Sequence, residues 1–232
     1  MFLQKRLYTL LIFALFFSKT FAQRDSSDDK PFHFGFAIGF NAMDFNITPS
    51  EYKFDGKQYD IAVSALRPGF SVGIVSNLKL HRFWDFRFTP TLHFGERELV
   101  YKLNGETSTS SVIITSIPIC LPFYLKYSAE RYGNIRPYLI GGIGTYVDLG
   151  RNKEKPIYLR PVDVFFEIGM GCDTYFSFFK LAPEIKVAIG SRDVFTPLSE
   201  RDAGMLSEHD KNYSLALDKL KSVMVTLVFN FE

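Results

Sequence analysis

Cysteine is scarce in this chain, with two residues among 232, and that excludes a disulfide-stapled scaffold. Cys120 and Cys172 fall on different, non-neighbouring strand candidates, which favours two separate thiols over a bridge. No CxxC and no Cys/His cluster with zinc-like spacing occurs. Histidine is limited to His33, His81, His93 and His209, and none belongs to a local nucleophile–base signature of the kind hydrolases carry. After the first two dozen residues no apolar run is long enough for a membrane-spanning helix, so any membrane crossing falls to strands. A large excess of either charge is missing as well. The whole chain carries a formal net charge of +2, and no basic patch argues for nucleic acid. Repeats, coiled-coil heptads and low-complexity tracts are absent.

What is present begins with an export signal. Lys5 and Arg6 precede an apolar run from Leu7 to Phe17, and Thr20-Phe21-Ala22 fits a small-x-small cleavage site. The expected division is a signal peptide over 1–22, a flexible polar lead over 23–31 and one domain over 32–232. Removal of the signal takes away Lys5, Arg6 and Lys19 and no acid, which leaves the processed chain at a net charge of about −1.

The rest of the chain alternates oily and polar residues. Phe32, Phe34, Phe36, Ile38 and Phe40 interleave with His33, Gly35, Ala37, Gly39 and Asn41. Val223, Val225, Leu227, Phe229 and Phe231 interleave with Ser222, Met224, Thr226, Val228 and Asn230. Successive side chains of a strand point to opposite faces, so one face seeks oil and the other tolerates water. Eight strand candidates follow: about 32–46, 66–79, 83–96, 112–127, 136–149, 163–175, 179–190 and 220–231. In the first, the oily parity flips near Asn41, after which Met43, Phe45 and Ile47 are apolar; the flip suggests a bulge. Long links (48–65, 97–111, 150–162, 191–219) alternate with short turns near His81, at 128–135 and near Ser177. The last link has weak helical character over 198–221.

This pattern is that of an eight-stranded antiparallel up-and-down transmembrane β-barrel of the outer-membrane type, placed in the outer membrane of a Gram-negative bacterium. A periplasmic β-sandwich is the competing architecture. Strand length and the aromatic-rich terminal strand favour the membrane; Pro90, Pro118, Pro122 and Pro183 count against unbroken ladders.

Eight strands enclose a space that side chains about fill. Arg87, Glu167, Asp173, Glu184 and Lys186 fall on polar faces and are read as a salt-bridge network plugging the lumen. Tyr101, Tyr124, Tyr127, Tyr138, Tyr146 and Tyr158 sit near strand borders, where interfacial girdles would place them. The residues suggest no catalytic group, no metal site, no cofactor and no small-molecule substrate. A lipid A-modifying barrel enzyme and a general structural or adhesion barrel remain the alternatives.

Several segments resemble the PorT family of outer-membrane proteins from the Bacteroidetes: Phe32-His33-Phe34-Gly35-Phe36 with Asn41-Ala42-Met43-Asp44-Phe45, Leu66-Arg67-Pro68-Gly69-Phe70, Arg136-Pro137-Tyr138-Leu139 with Gly141-Gly142, and Phe179-Lys180-Leu181-Ala182-Pro183-Glu184-Ile185-Lys186. The resemblance implies a non-enzymatic part in type IX secretion, which exports sorting-domain proteins and supports gliding. It implies outer-membrane lipid and other secretion-system proteins as partners; because long loops on a rigid scaffold are where binding usually sits, the links 48–65 and 191–219 are the best candidates for partner contacts.

Overall fold

The computed structural model describes residues 31–232 except positions 55, 64–66, 104–108, 152–154, 202–203 and 205. The expected signal peptide and nearly all of the expected flexible lead lie outside the described residues. Pro31 is already tied to the barrel, since its carbonyl accepts the Lys79 N–H.

Among the described residues there are twelve strand segments, one α-helix and a short 3-10 turn at Leu198–Glu200: β1 (Phe32–Pro49), β2 (Lys53–Phe54), β3 (Lys57–Val63), β4 (Pro68–Lys79), β5 (Trp84–Phe88), β6 (Thr91–Leu103), β7 (Thr109–Ser116), β8 (Pro118–Ser128), β9 (Ile135–Asp148), β10 (Val162–Tyr175), β11 (Lys180–Gly190), α1 (Glu208–Leu215) and β12 (Leu217–Phe231). Every pairing is antiparallel, and the ring closes where β1 meets both β12 and β4. The eight expected strands are carried by twelve segments. Three successive pairs lie end to end, so the ring still has eight staves: β1, β3–β4, β5–β6, β7–β8, β9, β10, β11 and β12.

Proline explains two of the three interruptions. Pro90 separates β5 from β6, yet both pair with β4 in one register, and the Pro90 carbonyl still accepts the Ile74 N–H. Pro118 opens β8, where a missing donor is tolerated. By register, Pro122 lies opposite Thr89 and Pro90 lies opposite Leu121, so two prolines share a single gap in the β5/β6–β8 ladder. The third junction falls between β3 and β4, where Val63 and Phe70 are seven positions apart while their partners Leu99 and Phe94 are five apart.

Two expected links prove to be strand. β3 occupies part of 48–65. The 97–111 link holds the end of β6 and the start of β7, which pair as a hairpin from Gly95↔Ser116 to Lys102↔Thr109. Together β3, β6 and β7 carry the wall beyond the rest of the ring.

The parity flip in β1 also has a different cause from the bulge expected. The β1–β12 register runs unbroken from Phe36↔Phe231 to Thr48↔Lys219. Side chains keep alternating; what changes is which side is oily. Phe32, Phe34, Phe36, Ile38 and Phe40 point outward and are exposed, whereas Met43 and Phe45 point inward and are buried. β6 changes in the same way, from outward Leu92 and Phe94 to inward Leu99 and Tyr101, with Glu96 and Glu98 now outside. On β7–β8 the outward set passes from Ser111, Thr115 and a single apolar residue, Ile113, to Ile119, Leu121, Phe123, Leu125 and Tyr127. Below this level the ring is oily outside and polar inside. Above it the ring is polar outside and oily inside.

That reversal marks the edge of a hydrocarbon layer. The outward oily stretches run from Phe32 to Phe40, Ile119 to Tyr127, Leu181 to Ile189 and Val223 to Phe231; each is about nine residues, the length a tilted membrane strand needs. Above it the strands form a water-bathed cap. Its core joins Phe45, Tyr59, Ile61, Leu99, Tyr101, Val112, Ile114, Leu159, Phe195, Tyr213 and Leu220.

Candidate functional site

The lumen and the cap are the two places where this chain concentrates chemistry. The lumen comes first because strand alternation builds it directly. Arg87, Glu167, Asp173, Glu184 and Lys186 all face inward and are buried. Arg87 is the hub: Nη1 lies 3.1 Å from Glu184 Oε2, Nη2 lies 2.8 Å from Glu232 Oε1, and Nε donates to Asn77 Oδ1 at 3.2 Å. Lys186 Nζ stands 3.5 Å from Glu184 and 3.7 Å from Glu167. It also donates to the Tyr124 hydroxyl, which in turn donates to Glu167. Asp173 takes both of its contacts from Lys126 Nζ, at 2.6 and 2.9 Å. Lys126 sits 3.9 Å over the Tyr138 ring, and the Tyr138 hydroxyl donates to Glu184 at 2.7 Å. The five expected residues thus belong to one connected cluster.

Five further members escaped sequence reading: Lys126, Lys180, Glu232, Tyr124 and Tyr138. Strand parity held the signal for three of them. The outward set of β8 is purely apolar from Ile119 to Tyr127, so Tyr124 and Lys126 had to face inward. Lys180 follows from the same rule in β11. Glu232 lies one residue past β12, where parity gives no guidance; Lys180 Nζ holds it at 2.7 Å. The tyrosine girdle is corrected. Tyr101, Tyr124, Tyr138 and Tyr146 are buried inside, and of the named tyrosines only Tyr127 stands on the outer face of a membrane strand.

Glycines make this interior possible. A Cβ on Gly142 would meet the Phe123 carbonyl at 2.1 Å and Tyr124 Cδ1 at 2.6 Å. A Cβ on Gly171 would meet the Tyr138 hydroxyl at 2.4 Å. The bare backbone is what lets two tyrosines lie across the lumen.

Higher in the lumen, Asn41 Nδ2 donates to Ser71 Oγ at 2.9 Å and to the Phe70 carbonyl at 2.8 Å. Ser71 Oγ and His93 Nδ1 are 2.7 Å apart. This is a serine–histidine contact, but its third member is an amide, and all three side chains are buried within the ring. Above it Arg97 lies 4.3 Å from the Phe45 ring and donates to the Tyr146 hydroxyl at 3.2 Å. Arg97 forms the floor of the cap. Among the described residues no group of three or more His, Cys, Asp or Glu is placed to hold a metal ion. Cys120 is buried on the inner face and Cys172 half-buried on the outer, both as free thiols.

The cap is folded rather than loop-like. Leu159 bridges Phe195, and Val194 N–H donates to the Leu220 carbonyl, which ties the 191–219 link to β12. Helix α1 starts at Ser207, whose side chain accepts the Asp210 N–H at 3.1 Å. It delivers Tyr213, whose ring centroid lies 4.6 Å from Tyr101 and 6.0 Å from Tyr59. Arg201 donates to the Lys155 and Pro156 carbonyls and to Ser214, and burial pulls its guanidinium below the ordinary value. On the outer wall at the reversal level, Arg67 clasps Glu98 at 2.9 Å and Glu96 at 3.1 Å; the Glu98 hydrogen bond raises its pKa. A hollow of about 180 Å³ on the cap flank, lined by Ile114, Asp148, Arg151 and Lys155, is below the usual size of a small-molecule site.

Short turns and long links end on opposite sides of the oily band. Barrels in outer membranes keep short turns in the periplasm and long loops outside, which puts the cap on the outer surface.

The match to a family model agrees with this architecture. The family model described as outer membrane protein beta-barrel domain matches residues 21–196. The crystal structure of Neisserial surface protein A (NspA) aligns over 87% of this chain and 98% of that chain, at 10% identity and a TM-score of 0.43. No curated protein matches the sequence.

Proposed function

This chain belongs to the outer membrane protein β-barrel domain family, and from that premise we propose that it acts non-enzymatically in type IX protein secretion, as an outer-membrane component that presents its folded cap to other proteins of the machine. Residence in the outer membrane follows from the family and from the reversal of polarity along the strands. The secretion role rests on the resemblance of four segments to the PorT family. The non-enzymatic reading rests on the interior: its titratable groups hold one another in buried ion pairs, and its serine–histidine contact lies inside the ring.

The observation that carries the docking reading is the cap. Long links are expected to be binding elements on a rigid barrel, but here they have their own apolar core and a fixed outer wall. A partner therefore meets a preformed surface. Deletion of the gene is expected to stop export of proteins with a C-terminal sorting domain while lipid A mass stays the same. Unchanged export would count against the secretion role, and a changed lipid A mass would favour an enzyme. Substitution of cap wall residues such as Asp60→Lys and Lys102→Glu is expected to reduce export without loss of the heat-modifiable band.

A further inference from the structure

The cap wall has an open edge. β7 pairs with β6 from Gly95↔Ser116 to Lys102↔Thr109, and among the described residues it pairs with no other strand. The stave continues into β8 without a shift of register, since Gly95↔Ser116 and Leu92↔Ile119 belong to one alignment. That continuity fixes which way the backbone points. Ile117 N–H donates to Asp148 Oδ1 and its carbonyl accepts the Leu149 N–H, both on the side away from β6. Alternate residues of a strand aim their backbone groups at the same edge, so Thr109, Ser111, Ile113 and Thr115 present theirs on that side too. Among the described residues none of the four has a backbone partner there. The edge is also unguarded. Positions 109–116 read Thr-Ser-Ser-Val-Ile-Ile-Thr-Ser, with no charge and no proline. Sheets usually blunt a bare edge with charge, proline or cover, because it is a template for another strand.

The hollow of about 180 Å³ lies at the membrane end of this edge, with Ile114 and Thr115 on one bank and Ile157 and Leu159 on the other. The far bank is fixed from behind, where Arg160 N–H donates to the Val194 carbonyl and Thr196 N–H to the Tyr158 carbonyl. Arg151 and Lys155 line the hollow beside one carboxylate, Asp148, whose Oδ1 already accepts two N–H groups. Arg151 itself is held by uncharged oxygens, those of the Asp148 and Leu159 carbonyls and the Tyr158 hydroxyl.

We propose that the edge of β7 takes an extended segment of another protein as an added antiparallel strand. The proposal rests on the reading of the cap as a docking surface, and it names the place and the chemistry of the partner. Main-chain hydrogen bonds to Ser111 and Ile113 supply the pairing. Guest side chains that turn inward are apolar, because they extend the surface of Val112 and Ile114; those that turn outward are polar. An antiparallel guest begins at the hollow, so an acidic residue precedes its alternating run and meets Arg151 and Lys155. A second copy of this chain fits less well: copies in one membrane point the same way, so their β7 edges run parallel.

The probe is a fluorescent peptide, Asp-Glu followed by an alternating Val-Thr run, titrated into the processed protein in detergent micelles and read by anisotropy. Saturable binding is expected, with slowed amide exchange at Ser111 and Ile113. Ile113→Pro removes one donor from the open edge and leaves the ladder to β6, and is expected to weaken binding about tenfold, whereas Ile113→Thr keeps it. Arg151→Gln with Lys155→Gln is expected to weaken binding about fivefold, to the level of an Asn-Gln version of the peptide. Absence of saturable binding, or binding unchanged by Ile113→Pro, would overturn the proposal. So would self-association of the unmodified protein that Ile113→Pro abolishes, since the occupant would then be a second copy. Binding is read on purified protein and export in cells, so this inference and the docking role in secretion fail separately.

Discussion

Arg87 shows what a single residue does in a lumen of this width. It is a buried cation held by two carboxylates, Glu184 and Glu232, and an amide. Removing one member of such a cluster leaves a charge that water cannot reach, at a cost of about 3–5 kcal/mol. Arg87→Met is therefore expected to lower the urea midpoint of the refolded barrel strongly. Arg87→Met combined with Glu184→Met is expected to cost less than the two single changes added together, and strict additivity in a double-mutant cycle would contradict the pairing. At Gly142 the expected outcome is harsher, because a valine there has backbone on one side and Tyr124 on the other; the folded, heat-modifiable fraction should fall sharply. Outward residues behave differently. Ile168 is 71% exposed in the middle of the oily band, and Ile168→Arg is expected to cost about 2–4 kcal/mol, measured as the change in unfolding free energy in bilayers. In a water-soluble sandwich the same change at so exposed a site would cost almost nothing.

At the scale of elements, much was legible in the sequence. Strand alternation fixed the eight staves, the facing of the charges on β5, β10 and β11, and the order of long and short connections. Three things were not legible. First, β3 and the β6–β7 hairpin look polar because their outer faces meet water, so composition marked them as links. Second, the flip near Asn41 has the same sequence signature as a bulge: an even number of residues, Asn41 and Ala42, between the last oily position of one run and the first of the next. Only the unbroken pairing with β12 separates a change of register from a change of surroundings. Third, Pro90 and Pro122 were visible as ladder breakers, but their sharing of one gap depends on register. The helical character near the end of the last link is real and shorter than expected, eight residues capped by Ser207. Because α1 inserts Tyr213 into the cap, replacing 198–212 by a short Gly-Ser linker is expected to do more than trim a loop. The transmembrane ring should keep its heat-modifiable mobility while β3 and β7 become sensitive to protease, with exposure of Tyr59 and Tyr101. A cap as resistant as before would show that the link is only tethered there.

For the whole molecule, the account describes a ring that crosses two solvents without changing its strand pairing. Its lower part is sealed by ion pairs and tyrosines and its upper part by an apolar core. Such a ring should be electrically silent: in planar bilayers the processed protein is expected to give no stepwise conductance. The claim beneath all of this is that the outer face passes from hydrocarbon to water between Thr115 and Ile119. The most direct test places single spin labels, in a background free of Cys120 and Cys172, at Ser111, Ile113, Thr115, Ile119, Leu121, Phe123, Leu125 and Tyr127 of the protein in bilayers. The account predicts collision with a water-soluble nickel chelate at the first three positions and with dissolved oxygen at the last five, and a profile of one kind along the whole stave, whether all water or all lipid, would contradict it.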